Sequence, residues 1–131
     1  MARRYRGVLT RRSGAVIDLA AVLLFVGIGR SVHDHGLSIA GMVSTAWPFV
    51  SGLVVGWLAS VIWQRSSTSF LGGLIVCFVT VVVGMTLRVA SGQGMAFAFV
   101  LVAFGFLGAL MLGWRTLVAG LQRLRPTSRA S

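Results

Sequence analysis

The chain contains no lysine and no glutamate, and its only acidic residues are Asp18 and Asp34. A single cysteine, Cys77, excludes an intrachain disulfide. Charged residues make up 11% of the 131 positions and hydrophobic residues 56%. A soluble domain of this length needs a polar shell around its core, and so few charges cannot supply one. Catalytic signatures are missing as well: there is no GxSxG, HExxH, phosphate loop or CxxC. No enzymatic activity is therefore expected, and no cofactor or metal is implied.

What the chain has instead is apolar length. Four runs stand out, at about 14–32, 45–63, 70–87 and 95–114. Each can cross a membrane, since ~30 Å of hydrocarbon at ~1.5 Å per residue needs about 20 residues. The runs lack a period of two, and an open sheet in lipid would leave backbone groups unpaired. The expected fold is all-α: a polytopic membrane bundle of four helices over 14–114, between a basic tail at 1–13 and a basic amphipathic tail at 115–131. "QRSSTS" (64–69) and "RVASGQG" (88–94) are short polar hairpin links. The longer first link holds "HDHG" and then "LSIAGMV", read as a short interfacial helix, with Thr45 as the N-cap of the second span and Pro48 in its first turn.

Arginine sets the orientation. Ten arginines lie in the N-terminal tail, the second link and the C-terminal end, against Arg30 and Arg88 on the other side. The positive-inside rule places both termini in the cytoplasm, in a multi-pass protein of the cell membrane. The basic tails suit anionic headgroups. Nucleic acid is not an expected partner, because no basic-aromatic surface or binding motif accompanies the net charge of +10. The basic start and apolar first run look like a signal peptide, but Asp18 interrupts the run and no good cleavage site follows, so the run is read as retained.

Small residues mark where helices can approach closely in lipid. Gly52 and Gly56 form a GxxxG in the second run; Gly73, Cys77, Thr80, Gly84 and Arg88 form a stripe in the third; Gly105 and Ala109, then Gly113, do so in the fourth. These positions are expected at helix contacts, either within the bundle or in a homodimer. A faint internal echo pairs Arg30 with Arg88 and Trp57 with Trp114 at nearly equal separations, as a duplicated hairpin would.

Candidate chemistry is sparse. His33, Asp34 and His35 carry metal-ligand types, but nothing is placed to complete a site, and a wet polar loop is the plainer reading. Trp47, Trp57, Trp63 and Trp114 lie toward the ends of their runs, where interfacial anchoring is the default. Arg30 and Arg88 end their runs and either snorkel to headgroups or form a paired anion site with Asp34 as counter-ion. "WRTLVAGLQRLR" (114–125) reads as an interfacial amphipathic segment or a docking helix.

Asp18 lies five residues into the first run, roughly 7 Å along a helix. A mid-membrane aspartate costs about 2.5–3.5 kcal/mol on insertion scales, and less near the edge, so it is expected to face the bundle with a partner. Arg12, Arg65 and Arg115 share its membrane edge, and Arg115, directly after the fourth run, is the preferred partner.

"DLAAVLLFVGIGRSVH", "TAWPFVSGLVVGW", "VVVGMTLRVASGQG" and "AFVLVAFGFLGALMLGWR" resemble an uncharacterised family of small four-helix membrane proteins, a domain of unknown function in high-GC Gram-positive bacteria and halophilic archaea. The resemblance spans about Val16 to Arg115 and implies fold and location, with no catalytic residues to carry over. Small multidrug exporters are similar in length, but their acid is a mid-membrane glutamate. Fluoride channels insert both ways, which a strong arginine bias opposes. The expected role is a small accessory or interaction subunit; the alternative is a small transporter or channel using Asp18 and the outer arginines.

Overall fold

The computed structural model describes residues 2–32, 38–63, 69–94 and 97–124, without side chains at 2–12 and 32. These form four helices: α1 (Ala2–Val32), α2 (Ile39–Ile62), α3 (Phe70–Ala90) and α4 (Phe97–Leu124). Each contains a stretch long and apolar enough to cross a membrane, in α1 the segment Ser13–Ser31. The protein is an all-α, multi-pass membrane four-helix bundle. Neighbours run α1, α2, α3, α4 and back to α1, and the α2/α3 contact is the most extensive.

Helix ends differ from the apolar runs because backbone hydrogen bonding and lipid solubility are separate constraints. α1 starts at Ala2, well before residue 14, since arginine favours helix and no proline interrupts the basic segment. α4 likewise continues through the amphipathic tail to Leu124 as one helix. α2 begins at Ile39, so "IAGMV" forms its first turns, and the N-cap is Ser38 in place of Thr45. The Ser38 hydroxyl accepts from the Gly41 N–H at 3.1 Å. Ser69 caps α3 in the same way, through Gly72 N–H at 2.9 Å.

This earlier start moves Pro48 from the first turn into the helix interior. Proline cannot donate to the carbonyl four residues back, here that of Ser44. The Gln93 side-chain amide donates to that oxygen instead, at 3.1 Å. Gln93 reaches it from the tight α3/α4 link, where Gly92 and Gly94 take φ of 80°, a region open to glycine.

The small-residue stripes of α2 and α3 face each other. A Cβ on Gly52 would lie 2.6 Å from the Thr80 carbonyl oxygen, and one on Gly56 2.9 Å from that of Val76. Gly84 leaves room for the Phe49 ring, whose carbons would sit 2.7 Å from an added Cβ. Above this contact Phe25 meets Phe49 edge-on at 5.6 Å and packs on Phe99 at 5.5 Å and Phe106 at 5.7 Å. Val22, Leu53, Leu107 and Met111 complete a fully buried interior. Hydroxyls inside the spans return to their own helices: Thr80 donates to Val76 O and Ser60 to Trp57 O, which satisfies them without water.

Gly105 and Ala109, expected at a helix contact within the bundle or in a dimer, face outward from α4, as does Gly113. A Cβ at Gly105 or Gly113 would meet nothing within 4 Å. The glycine of α4 that faces inward is Gly108, whose Cβ would lie 3.9 Å from Cys77 Sγ.

Candidate functional site

Asp18 is on α1, within the apolar stretch, and is fully buried. Its partner is Arg115, which α4 delivers one turn after Met111. The guanidinium meets the carboxylate two-pronged: Nη1 donates to Oδ1 at 3.0 Å and Nη2 to Oδ2 at 2.7 Å. Both side chains are 1% exposed. Arg115 also donates from Nη1 to the Met111 carbonyl at 2.8 Å and stacks over the Trp114 ring at 4.5 Å.

Two indoles complete the carboxylate. Trp57 Nε1 donates to Oδ2 at 3.1 Å and Trp114 Nε1 to Oδ1 at 2.9 Å. Each oxygen therefore accepts two hydrogen bonds, one from arginine and one from tryptophan. A carboxylate offers about four lone-pair sites, so its accepting capacity is full. The pair joins three helices at one point: α1 through Asp18, α2 through Trp57 and α4 through Trp114 and Arg115. α3 contributes space, since a Cβ on Gly73 would lie 2.5 Å from Arg115 Cδ and 2.8 Å from its Nε.

The two indoles revise the reading of tryptophan as interfacial anchors. Trp47 and Trp63 are exposed, but Trp57 and Trp114 are half-buried, with their N–H groups turned inward. In hydrocarbon an indole N–H needs an acceptor, and Asp18 provides one for each. The internal echo, which pairs Trp57 with Trp114, was the signal that could have found them. The echo, which includes Arg30 and Arg88, does not extend to the buried pair: Leu58 follows Trp57 where Arg115 follows Trp114, and a like offset from Asp18 reaches Ile75 or Val76. One hairpin carries the indole alone and the other the indole with the cation.

A second polar cluster lies at the other end of the bundle, about 18 Å from Asp18 by helix rise to Arg30. Arg30 Nη1 donates to Thr45 Oγ1 at 2.8 Å, and its guanidinium occupies the space a Cβ on Gly41 would need. Arg88 Nη1 donates to Gln93 Oε1 at 3.2 Å, and Gln93 in turn holds Ser44 O. The two arginines thus attach to adjacent residues of α2, Thr45 and Ser44, one directly and one through Gln93. Arg88 also stacks on Phe99, 4.9 Å from the ring centre. His33, Asp34, His35 and Arg65 lie outside the described residues, as does the side chain of Arg12.

Chemically, the Asp18 cluster is a saturated ion pair in the buried interior, suited to holding helices together. No curated protein and no solved structure matches the chain. A family model described as "Protein of unknown function (DUF3054)" matches residues 15–118, the four-helix core with both charges of the buried pair, and the chain belongs to that family.

Proposed function

We propose that the protein is a small interaction subunit of the cytoplasmic membrane, with both termini in the cytoplasm and no catalytic activity of its own. The observation that carries this reading is the outward stripe Gly105, Ala109 and Gly113 on α4. The glycines at the α2/α3 contact are turned into the bundle, and the outer face of α3 bears Leu71, Leu74, Phe78 and Val82. α4 alone is both smooth outside and sparsely covered: 17% of its apolar stretch is buried, against 33–44% in the others. Small residues at spacings of four allow a second transmembrane helix to approach backbone to backbone. The occupant is a second copy, because a stripe of this kind is complementary to itself about a twofold axis.

The transport alternative needs water to reach Asp18. The saturated carboxylate and the packed Val22, Leu53, Leu107 and Met111 weigh against it. Orientation rests on the arginine distribution.

Cysteine crosslinking in native membranes tests the reading. With Cys77 replaced by Ala, Ala109→Cys should give a disulfide-linked pair of chains, and Phe78→Cys, on the outer face of α3, should give far less. Equal yields, or none at 109, would remove the proposed contact.

A further inference from the structure

The amphipathic end of α4 outruns its neighbour. Gly73 of α3 packs against Arg115 and Leu112 of α4. From that level α3 goes back only to Phe70, whereas α4 goes on to Leu124. At ~1.5 Å per residue, the three residues of α3 and the nine of α4 differ by roughly 9 Å. A cavity of about 500 Å³ lies at this step, within the range of about 300–1,000 Å³ usual for small-ligand sites. Ser69 and Phe70 line it from the α3 side, and Thr116, Gly120, Gln122 and Arg123 from α4. Arg115 also reaches it, but Asp18 matches that charge, and the Thr116 hydroxyl donates to the Leu112 carbonyl. Arg123 therefore brings the charge to this cavity, with Gln122 as a neutral donor. Asp18 is the only acidic residue among the described ones, so no described carboxylate is left to face Arg123.

Depth decides what meets that cation. The apolar stretch of α1 begins at Ser13, five residues or roughly 7.5 Å from Asp18. Arg123 is eight residues, roughly 12 Å, past Arg115, which Asp18 holds at its own level. The cation thus leaves α4 about 4–5 Å outside the hydrocarbon, within a headgroup layer about 5–7 Å deep. Phe70 in the cavity wall and Leu74 one turn deeper are both exposed, so an apolar track leads from the cavity along α3 into the hydrocarbon. We propose that the cavity binds the headgroup of one anionic phospholipid. Arg123 and Gln122 donate to its phosphate, and an acyl chain follows Phe70 and Leu74. Guanidinium meets phosphate through paired donors, and the chain's net charge of +10 favours an anionic lipid over a zwitterionic one. A free anion would gain nothing from the apolar track. The site rests neither on the α4 stripe nor on which side of the membrane the termini lie.

Native mass spectrometry of the detergent-purified full chain tests it, with phosphatidylglycerol, phosphatidylcholine and inorganic phosphate titrated separately. Wild type should retain one phosphatidylglycerol more tightly than phosphatidylcholine. Arg123→Gln should weaken that binding about tenfold, the scale of a lost charge-assisted hydrogen bond. Arg129→Gln removes the same charge further along the tail and should change it little. Gly120→Phe fills the cavity and leaves Arg123 in place. A Cβ at Gly120 would meet nothing within 4 Å, so the ring enters open space, and phosphatidylglycerol binding should fall comparably. Arg123 and Gly120 are both exposed, so neither change disturbs the interior of the bundle. Equal losses in Arg123→Gln and Arg129→Gln would overturn the proposal, because they mark diffuse attraction to the basic tail. Unchanged lipid retention in Gly120→Phe would overturn it as well. So would inorganic phosphate binding as tightly as the lipid with the same dependence on Arg123, which would make the site one for a free anion.

Discussion

Neutralising Asp18 alone, Arg115 alone, and both together gives the sharpest test of the buried pair. Asp18→Asn preserves shape but leaves Arg115 charged and buried, with the Met111 carbonyl still accepting from it. Removing one member of a buried ion pair typically costs about 3–5 kcal/mol, because a charge is left unmatched. The asparagine amide also has one oxygen where the carboxylate had two, so one indole N–H then faces an NH2 group. Arg115→Gln leaves the opposite charge, but a carboxylate can take up a proton whereas a guanidinium cannot give one up. Asp18→Asn should therefore be the more damaging single change. In the double variant no net charge remains buried, and the loss should fall short of the sum of the singles by about 2–3 kcal/mol, near the top of the range for residues in contact. Reversible unfolding in mixed micelles, or steric trapping in bicelles, measures all three. Additivity within about 0.5 kcal/mol, as for independent sites, would refute the clamp. A pH-dependent ion flux in liposomes that Asp18→Asn abolishes without loss of stability would instead establish a transport role.

Trp57→Phe and Trp114→Phe each remove one donor from Asp18 and should each cost about 1–3 kcal/mol in the same unfolding assay, whereas Trp63→Phe, at an exposed position, should change little. Gly73→Ala places a methyl group against Arg115 Cδ and should destabilise by about 1–3 kcal/mol; in an Arg115→Ala background, where that contact is gone, the loss should shrink, and an unchanged loss would show that Gly73 matters for another reason. Gly52→Ala meets the Thr80 backbone, which cannot swing aside, so it should separate α2 from α3 in any background, seen as faster proteolysis of the detergent-solubilised chain. A reporter active only outside the membrane should be silent when fused at Ser131 and active when fused near His35; the reverse pattern would overturn the arginine argument.

Composition and periodicity determined the number of spans and the helical class, because lipid admits so few ways of satisfying a backbone. Local sequence also carried the need for a partner at Asp18. A lone acid in an apolar run is costly, few arginines share its membrane edge, and Arg115 is among them. Other features depended on the arrangement of helices around one another. That Trp57 and Trp114 turn their N–H groups onto the two oxygens of one aspartate is a matter of helix rotation, and a tryptophan near the end of a span serves equally well as an interfacial anchor. The same ambiguity hides the direction of glycine. GxxxG in α2 and GxxxA in α4 read alike, yet one lies against the α3 backbone and the other faces outward, since facing depends on which side of the helix carries the inward residues. Ser38 overtook Thr45 as the cap because a helix can begin before its apolar run does. Gln93 found the carbonyl left open by Pro48 only because the α3/α4 turn folds over the start of α2. The Ser38 cap is local, three positions from the Gly41 N–H it accepts from; the other choices join residues tens of positions apart, no local pattern encodes them, and the close packing of four helices decided them.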